Sequence, residues 1–248
     1  VTAGVVLSMV VVTAALSGCA AASTLSSPVS AGSTTDASST QSPSSADSRG
    51  TGTAVAALAA LPVKGRAPKT GYQRSAFGQA WADVDRNGCD TRNDILRRDA
   101  RDVTLKPGTN GCVVASGTLQ DRYSGTAFRF VRGDGQVEID HVVALSDAWQ
   151  KGAQAWTAET RAAFANDPLN LVATESALNQ QKGDGDAATW LPPYGAGRCA
   201  YVARQIAVKK TYGLWLTVAE RDAMGRVLAG CPREPLPSGD DRAPLAAG

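Results

Sequence analysis

The chain holds a single histidine, His141, preceded by Asp140 at the end of the β-rich run VEID. Downstream come Pro-Leu-Asn-Leu at 168–171, then Asn179 and Lys182, three apart and therefore on one face of any helix that carries them. One imidazole, one carboxylate and two carboxamides on a strand, strand, helix unit are the parts of a single-metal hydrolase. Neutral imidazole takes a proton from water, while oxygen ligands hold a cation that stabilises anionic oxygens. Successive strand residues point to opposite faces, so cooperation of Asp140 with His141 requires the strand to end or bend there. An unperturbed imidazole titrates near neutrality, so the rate is expected to fall with one ionisation between about pH 8 and 5.

A second constellation is independent of the first. Asp83, Asp85, Asn87, Gly88 and Asp94 occupy positions 1, 3, 5, 6 and 12 of an EF-hand-like calcium loop, with Asp at the last position in place of the bidentate Glu. The competing reading is a polar turn tied by Cys89. No G-x-S-x-G elbow occurs, which weakens a serine hydrolase.

The elements that must position these groups begin after about residue 62. Of 248 residues 43% are hydrophobic but only 6% aromatic, and the first sixty contain no Trp, Tyr or Phe. Residues 1–19 form an apolar stretch ending in Leu-Ser-Gly-Cys, which resembles a bacterial lipobox and implies export with a lipid anchor to the membrane on Cys19. Residues 20–61, rich in Ser, Thr and Ala, are expected to be a disordered stalk, 62–232 the folded domain, and 233–248 a disordered tail. Without Cys19, four cysteines remain, an even set that fits an oxidising compartment. Three connectivities are open, and pairing of Cys89 with Cys112 and Cys199 with Cys231 is the one expected. The net charge of +2 is too weak to argue nucleic-acid binding by itself.

Periodicity predicts helices over 72–82, 92–103, 148–155, 158–165, 175–182, 201–212 and 218–229, the last opened by a Thr217/Glu220 capping box. Residues 126–131 and 136–143 read as two strands of a hairpin turned by Arg-Gly-Asp-Gly, and 169–173 as a further short strand. The class is α+β, a small antiparallel sheet among helices, stapled by disulfides.

Four segments together, WADVDRNGCDTRNDIL (81–96), QVEIDHVVALSDAWQKGA (136–153), FANDPLNLVATESALNQQKGDGDAATWLPP (164–193) and CAYVARQIAVKKTYGLW (199–215), resemble the HNH (ββα-metal) nucleases. The branch is that of the C-terminal domain of GmrSD-type restriction enzymes, in an exported bacterial form. The resemblance implies a metal-dependent endonuclease with a ββα-metal core, acting on DNA and secondarily RNA. His141 matches the general base, Asn170 the central Asn, Asp140 and Asn179 the metal ligands. The terminal ligand is often His in the family and here is Asn, so the oxygen set suits Mg²⁺ or Mn²⁺ better than Zn²⁺. Lys182 and Arg204 are placed to meet phosphate, with a solvated charged surface as the plainer reading for both and for Lys209 and Lys210. The alternative function is a cell-surface Ca²⁺-binding or wall-associated interaction module without catalysis.

Overall fold

The structure, a computed structural model, describes residues 52–237. The expected signal segment and lipidation site at Cys19, most of the stalk and the end of the tail lie outside the described residues. The domain starts earlier than its composition indicates. Thr53 accepts the Ala56 N–H and caps α1 (Ala54–Ala60), whose Ala54, Ala57 and Leu58 are buried. Alanine side chains are small enough for close helix packing, so a stretch that reads as stalk docks on α6 (Arg198–Tyr212) and α7 (Val218–Leu228). The first residues of the expected tail are ordered by the same segment, with Leu236 N–H donating to the Gly52 carbonyl and Ala54 N–H to that of Glu234.

The helix expected over 72–82 is reduced to a 3₁₀ turn at Arg74–Phe77, because Gly78 (φ +77°) and Trp81 (φ +58°) leave helical space. Asp90 caps α2 (Thr91–Asp99), and the chain then becomes strand rather than continuing as helix to 103. Strands β1 (Ala100–Leu105), β2 (Val114–Gln120) and β3 (Ala127–Val131) form an antiparallel sheet in that order. The expected hairpin between residues 126–131 and 136–143 is not formed. The turn at 132–135 is tight, held by Asp134 accepting from Val131 N–H and Gln136 N–H. It passes from one sheet to another, since β4 (Val137–His141) pairs antiparallel with β5 (Leu171–Glu175).

Between these strands run α3 (Leu145–Trp149) and α4 (Ala158–Asn166). Directly after β5 comes α5 (Ser176–Lys182), which packs on both β4 and β5 and completes a strand, strand, helix unit. One face of the β4–β5 pair presents Val137, Ile139, Leu171 and Ala173 to Ile95 and Leu96 of α2; the other presents Val172 to Tyr123 and α6. Covered on both sides, β5 is apolar without alternation, as a sandwiched strand should be. Helix α6 runs through the middle of the fold and stops at Gly213, whose φ of +65° is the left-handed cap that a side chain resists. Cys89–Cys112 ties the loop before α2 to the β1–β2 connection, and Cys199–Cys231 ties the start of α6 to the end of α7, the expected pairing.

Beneath α6 lies a buried ionic cluster. Lys151 Nζ reaches Asp147 (2.7 Å), Asp186 (2.8 Å) and Glu220 (2.6 Å), and Lys209 Nζ reaches Asp147 (3.2 Å) and Glu220 (2.9 Å). Arg66 closes it on Asp147 and Asp186 at 3.0 and 2.7 Å. Three cations meet three carboxylates, so the cluster is neutral. Burial pushes the Lys209 pKa down, but Asp147 and Glu220 more than offset it and hold the ammonium charged. Lys209 is thus no groove-lining cation, and Glu220 puts its side chain here instead of closing the capping box, whose other half, Glu220 N–H to Thr217 Oγ1 at 3.1 Å, is formed.

Candidate active site

β4 ends at His141, and the backbone beyond it is fixed by Asn170. The fully buried Asn170 carboxamide accepts the Val143 N–H (2.8 Å) and donates to the Val143 carbonyl (3.3 Å), while its own backbone carbonyl takes the Val142 N–H (2.8 Å). The side chain holds the backbone just past the imidazole, not the imidazole itself. The ring is held by a carbonyl: His141 Nε2 lies 2.9 Å from the oxygen of Ala165, in the last turn of α4. A carbonyl oxygen only accepts, so Nε2 carries the proton and Nδ1 keeps the lone pair.

Trp81 covers the ring, nearly parallel to it (17°) with centroids 6.0 Å apart. A tryptophan at φ +58° is strained backbone, and the surroundings over-determine it. Asn166 accepts the Ala82 N–H at 3.0 Å and donates to the Gln79 carbonyl at 3.3 Å, and the Thr91 hydroxyl donates to the Ala82 carbonyl. Beside the ring opens a crevice of about 30 Å³, lined by Arg74, Gly78, Gln79, Trp81, Leu145 and Ala165 among others. That is the volume of roughly one water. Burial pushes the His141 pKa from 6.5 down to about 3; the Ala165 carbonyl opposes this, while the charges of Arg74 and Lys182 add to it. An ionisation between pH 8 and 5 is therefore not expected of this imidazole, because a charged ring there would be desolvated.

Asp140 faces the other way. Its register partner is Val172, whereas that of His141 is Leu171, so strand alternation holds to the last residue and puts the two side chains on opposite faces. The Asp140 carboxylate accepts from the Tyr123 hydroxyl (2.6 Å) and from Lys182 Nζ (2.9 Å), and Lys182 also donates to the His141 carbonyl (2.8 Å). Burial raises the Asp140 pKa even against Lys182 and Tyr123. Asn179 meets neither residue; its Nδ2 donates to Glu138 Oε2 at 2.7 Å, and Ser176 and Gln180 donate to Oε1 at 2.8 and 3.2 Å. The expected convergence of Asp140, His141 and Asn179 on one ion is corrected accordingly. A divalent cation at Asp140 would sit against an ammonium group, so Asp140 does not fit a metal in this arrangement. Glu138 and Asn179 lie on the face of the β4–β5 pair away from the imidazole, and both Glu138 oxygens are taken by side chains of α5.

Lys182, expected at phosphate, is buried and spent on Asp140. Arg204 is buried too; it donates to the Leu169 carbonyl at 3.4 Å and lines a cavity of about 750 Å³ with Tyr123, Tyr194 and Tyr201. The residues of the calcium-loop reading do cluster, around Asn87: its amide donates to Asp85 and Asp94, its N–H to Asp83 and Asp85, and Gly88 N–H to Asp83. Four contributors were missed. Glu138 was readable as the residue two before Asp140 on the same strand face. Arg74, Trp81 and Tyr123 are distant in sequence and carried no local signal.

The sequence matches the family described as GmrSD restriction endonucleases, C-terminal domain, over residues 90–227, more than half of the chain. It is 37% identical over 181 residues to an uncharacterized secreted protein of Arthroderma benhamiae, covering 72% of this chain and 85% of that protein. No solved structure matches. The match spans β4, α4, β5 with Asn170, and α5, while Arg74 and Trp81 precede it, and the chain belongs to the family of GmrSD restriction endonuclease C-terminal domains.

Proposed function

We propose that the protein is an exported endonuclease that hydrolyses phosphodiester bonds, DNA foremost and RNA second, with His141 as general base. The observation that carries this is the bond from His141 to the Ala165 carbonyl, which selects the tautomer with a free lone pair on Nδ1, in a site whose burial keeps the ring neutral. The ordered β4–β5–α5 unit supports a ββα nuclease core. Export is supported by the secreted relative and the two disulfides; anchoring through Cys19 rests on the lipobox alone.

A phosphodiester repels an incoming nucleophile with its own anionic oxygens. The crevice takes one water beside the imidazole; Nδ1 removes its proton as the oxygen bonds to phosphorus, the P–O bond to one sugar oxygen breaks, and the departing alkoxide takes a proton from solvent. The phosphate drawn in for that step is an anion next to the ring, and its charge raises the basicity of His141 when the proton moves. Asn170 and Ala165 fix the position of the base, and Trp81 excludes bulk solvent from one face of it. HNH nucleases use divalent ions. The family implies Mg²⁺ or Mn²⁺, but Asp140, Glu138 and Asn179 lie on the face of β4 away from His141, so these residues do not fit an ion at the crevice phosphate and no step is routed through one. A calcium role for Asp83, Asp85, Asn87 and Asp94 is a separate proposal, supported by their clustering and tested by Ca²⁺ titration of Asp83→Asn against wild type.

The test of function is cleavage of supercoiled plasmid and of RNA by the full chain, disulfides intact, in Mg²⁺, Mn²⁺, Ca²⁺ or EDTA. Cleavage of plasmid is the expected result, and loss of it in EDTA would show the divalent-ion dependence that the family implies. A folded protein that cuts neither substrate in any ion would overturn the reading in favour of a surface-binding module.

A further inference from the structure

The 3₁₀ turn at Arg74–Phe77 is anchored as firmly as the catalytic strand. Phe77 is buried among Phe164 (6.1 Å), Trp149 (6.4 Å) and Tyr72 (6.4 Å), and Arg161 donates to the Ala76 carbonyl at 2.8 Å. At Gly78 a Cβ would stand 3.0 Å from that of Ala162, so the turn lies flat on α4, the helix that also supplies the Ala165 carbonyl to His141. Arg74 and the imidazole are thus fixed to the same support.

The arginine on this rigid turn is exposed and makes no ion pair or hydrogen bond among the described residues. Its neighbours behave otherwise: Arg66 is spent on Asp147 and Asp186, Arg98 on Asp99, and Arg161 on the Ala76 carbonyl. Among the described residues, Arg74 is the one charged group lining the His141 crevice, whose wall carries no carboxylate. A cation held at the mouth of a site of one water's volume, with nothing to neutralise it, is arranged for an anion that arrives from outside. The crevice is too small for a nucleotide, so what it admits is a water or a single phosphate oxygen, and the remaining phosphate oxygens stay at the mouth, where the guanidinium is.

The geometry points to Arg74 as the residue that binds the scissile phosphate and presents it to His141. The inference rests on the nuclease reading for its substrate. A guanidinium suits the task because its planar fork donates two parallel hydrogen bonds to a phosphate and stays charged at any working pH.

Two measurements on the full chain test it. In cleavage, R74A should lower kcat/KM roughly 10- to 100-fold, the scale of a lost charge-assisted hydrogen bond. R74K should recover part of that loss, and R74E should fall below R74A. In binding, read by anisotropy of a labelled oligonucleotide in a His141→Ala background that leaves it uncut, adding R74A should weaken affinity and flatten the salt dependence by about 0.7–0.9 in slope, the share of one phosphate contact. Arg74 has no ion-pair or hydrogen-bond partner to lose among the described residues, so the melting temperature should stay that of the parent. Unchanged kcat/KM for R74A in a chain that does cleave, or unchanged affinity and salt slope in the binding arm, overturns the assignment. The two readings separate cleanly: a wild type that cuts nothing removes the nuclease, while a salt slope that responds to R74A sustains the phosphate site without it.

Discussion

Replacing His141 by glutamine removes the group that couples this fold to acid most strongly on the face of β4 that it occupies. In the folded chain the imidazole titrates at about 3, against 6.5 for an unperturbed ring. As pH falls the unfolded chain therefore binds the proton first, and the contribution to stability is fully present above 6.5 and lost through the window down to about 3. At pH 4.5 the unfolded ring has been protonated across two pH units and the folded ring hardly at all. At about 1.36 kcal/mol per unit, wild type should lose about 2.7 kcal/mol from this residue between pH 7.5 and 4.5. Asp147, held low despite burial by Lys209 and Lys151, and Asp186, held low despite burial by Lys151 and Arg66, add losses toward the acid end, but these are common to both proteins. The assay is urea unfolding of wild type and His141→Gln at the two pH values with disulfides intact, comparing the pH-dependent differences. A variant that loses as much stability on acidification as wild type, within about 0.5 kcal/mol, would refute a neutral buried imidazole.

Lys151→Met leaves Asp147, Asp186 and Glu220 facing one another with Lys209 and Arg66 alone, and should cost about 3–5 kcal/mol in chemical denaturation; a loss under about 1 kcal/mol would mean the cluster reorganises. Asn170→Ala removes both side-chain bonds to Val143, and should cost about 2–3 kcal/mol and, by freeing the backbone after His141, lower kcat more than it raises KM. Trp81→Ala uncovers the ring, so its NMR titration should move up from about 3 toward 6.5 and cleavage should acquire an ionisation on the acid side that wild type lacks. An unmoved titration would show that Trp81 does not shield the base.

What could be read from the sequence was local. The order of β4, β5 and α5, Asn170 at the head of β5, the placing of α4, α6 and α7, and the pairing of cysteines nearest in sequence all follow from short-range patterns and punctuation. The partners of Asp140 did not, because Tyr123 and Lys182 reach it from segments 17 and 42 residues away. Strand alternation, stated from the sequence as an obstacle to pairing Asp140 with His141, turned out to govern both side chains. Lys182, Lys209 and Arg204 read as surface because charge usually is, and only the counter-ions and carbonyls that the fold brings together allow their burial. Strand β1 escaped notice for the opposite reason: ARDVTL is mostly exposed and lacks a hydrophobic face to announce it, while β2, VASGTLQ, is largely buried but its Ala, Ser, Gly and Thr give no apolar run. The 132–135 turn was legible as a turn, but which strands it joins depends on pairing with β2 and β5, which no local pattern encodes.

His141, held neutral by burial and oriented by the Ala165 carbonyl, is the proposed base of a nuclease. The most direct measurement is single-turnover cleavage of plasmid DNA at pH 7.5 by wild type and His141→Ala, each checked for an intact melting transition. The expected loss in the variant is roughly 10²- to 10⁴-fold, the range of a general base. A folded His141→Ala protein that cleaves within a few-fold of wild type would contradict it.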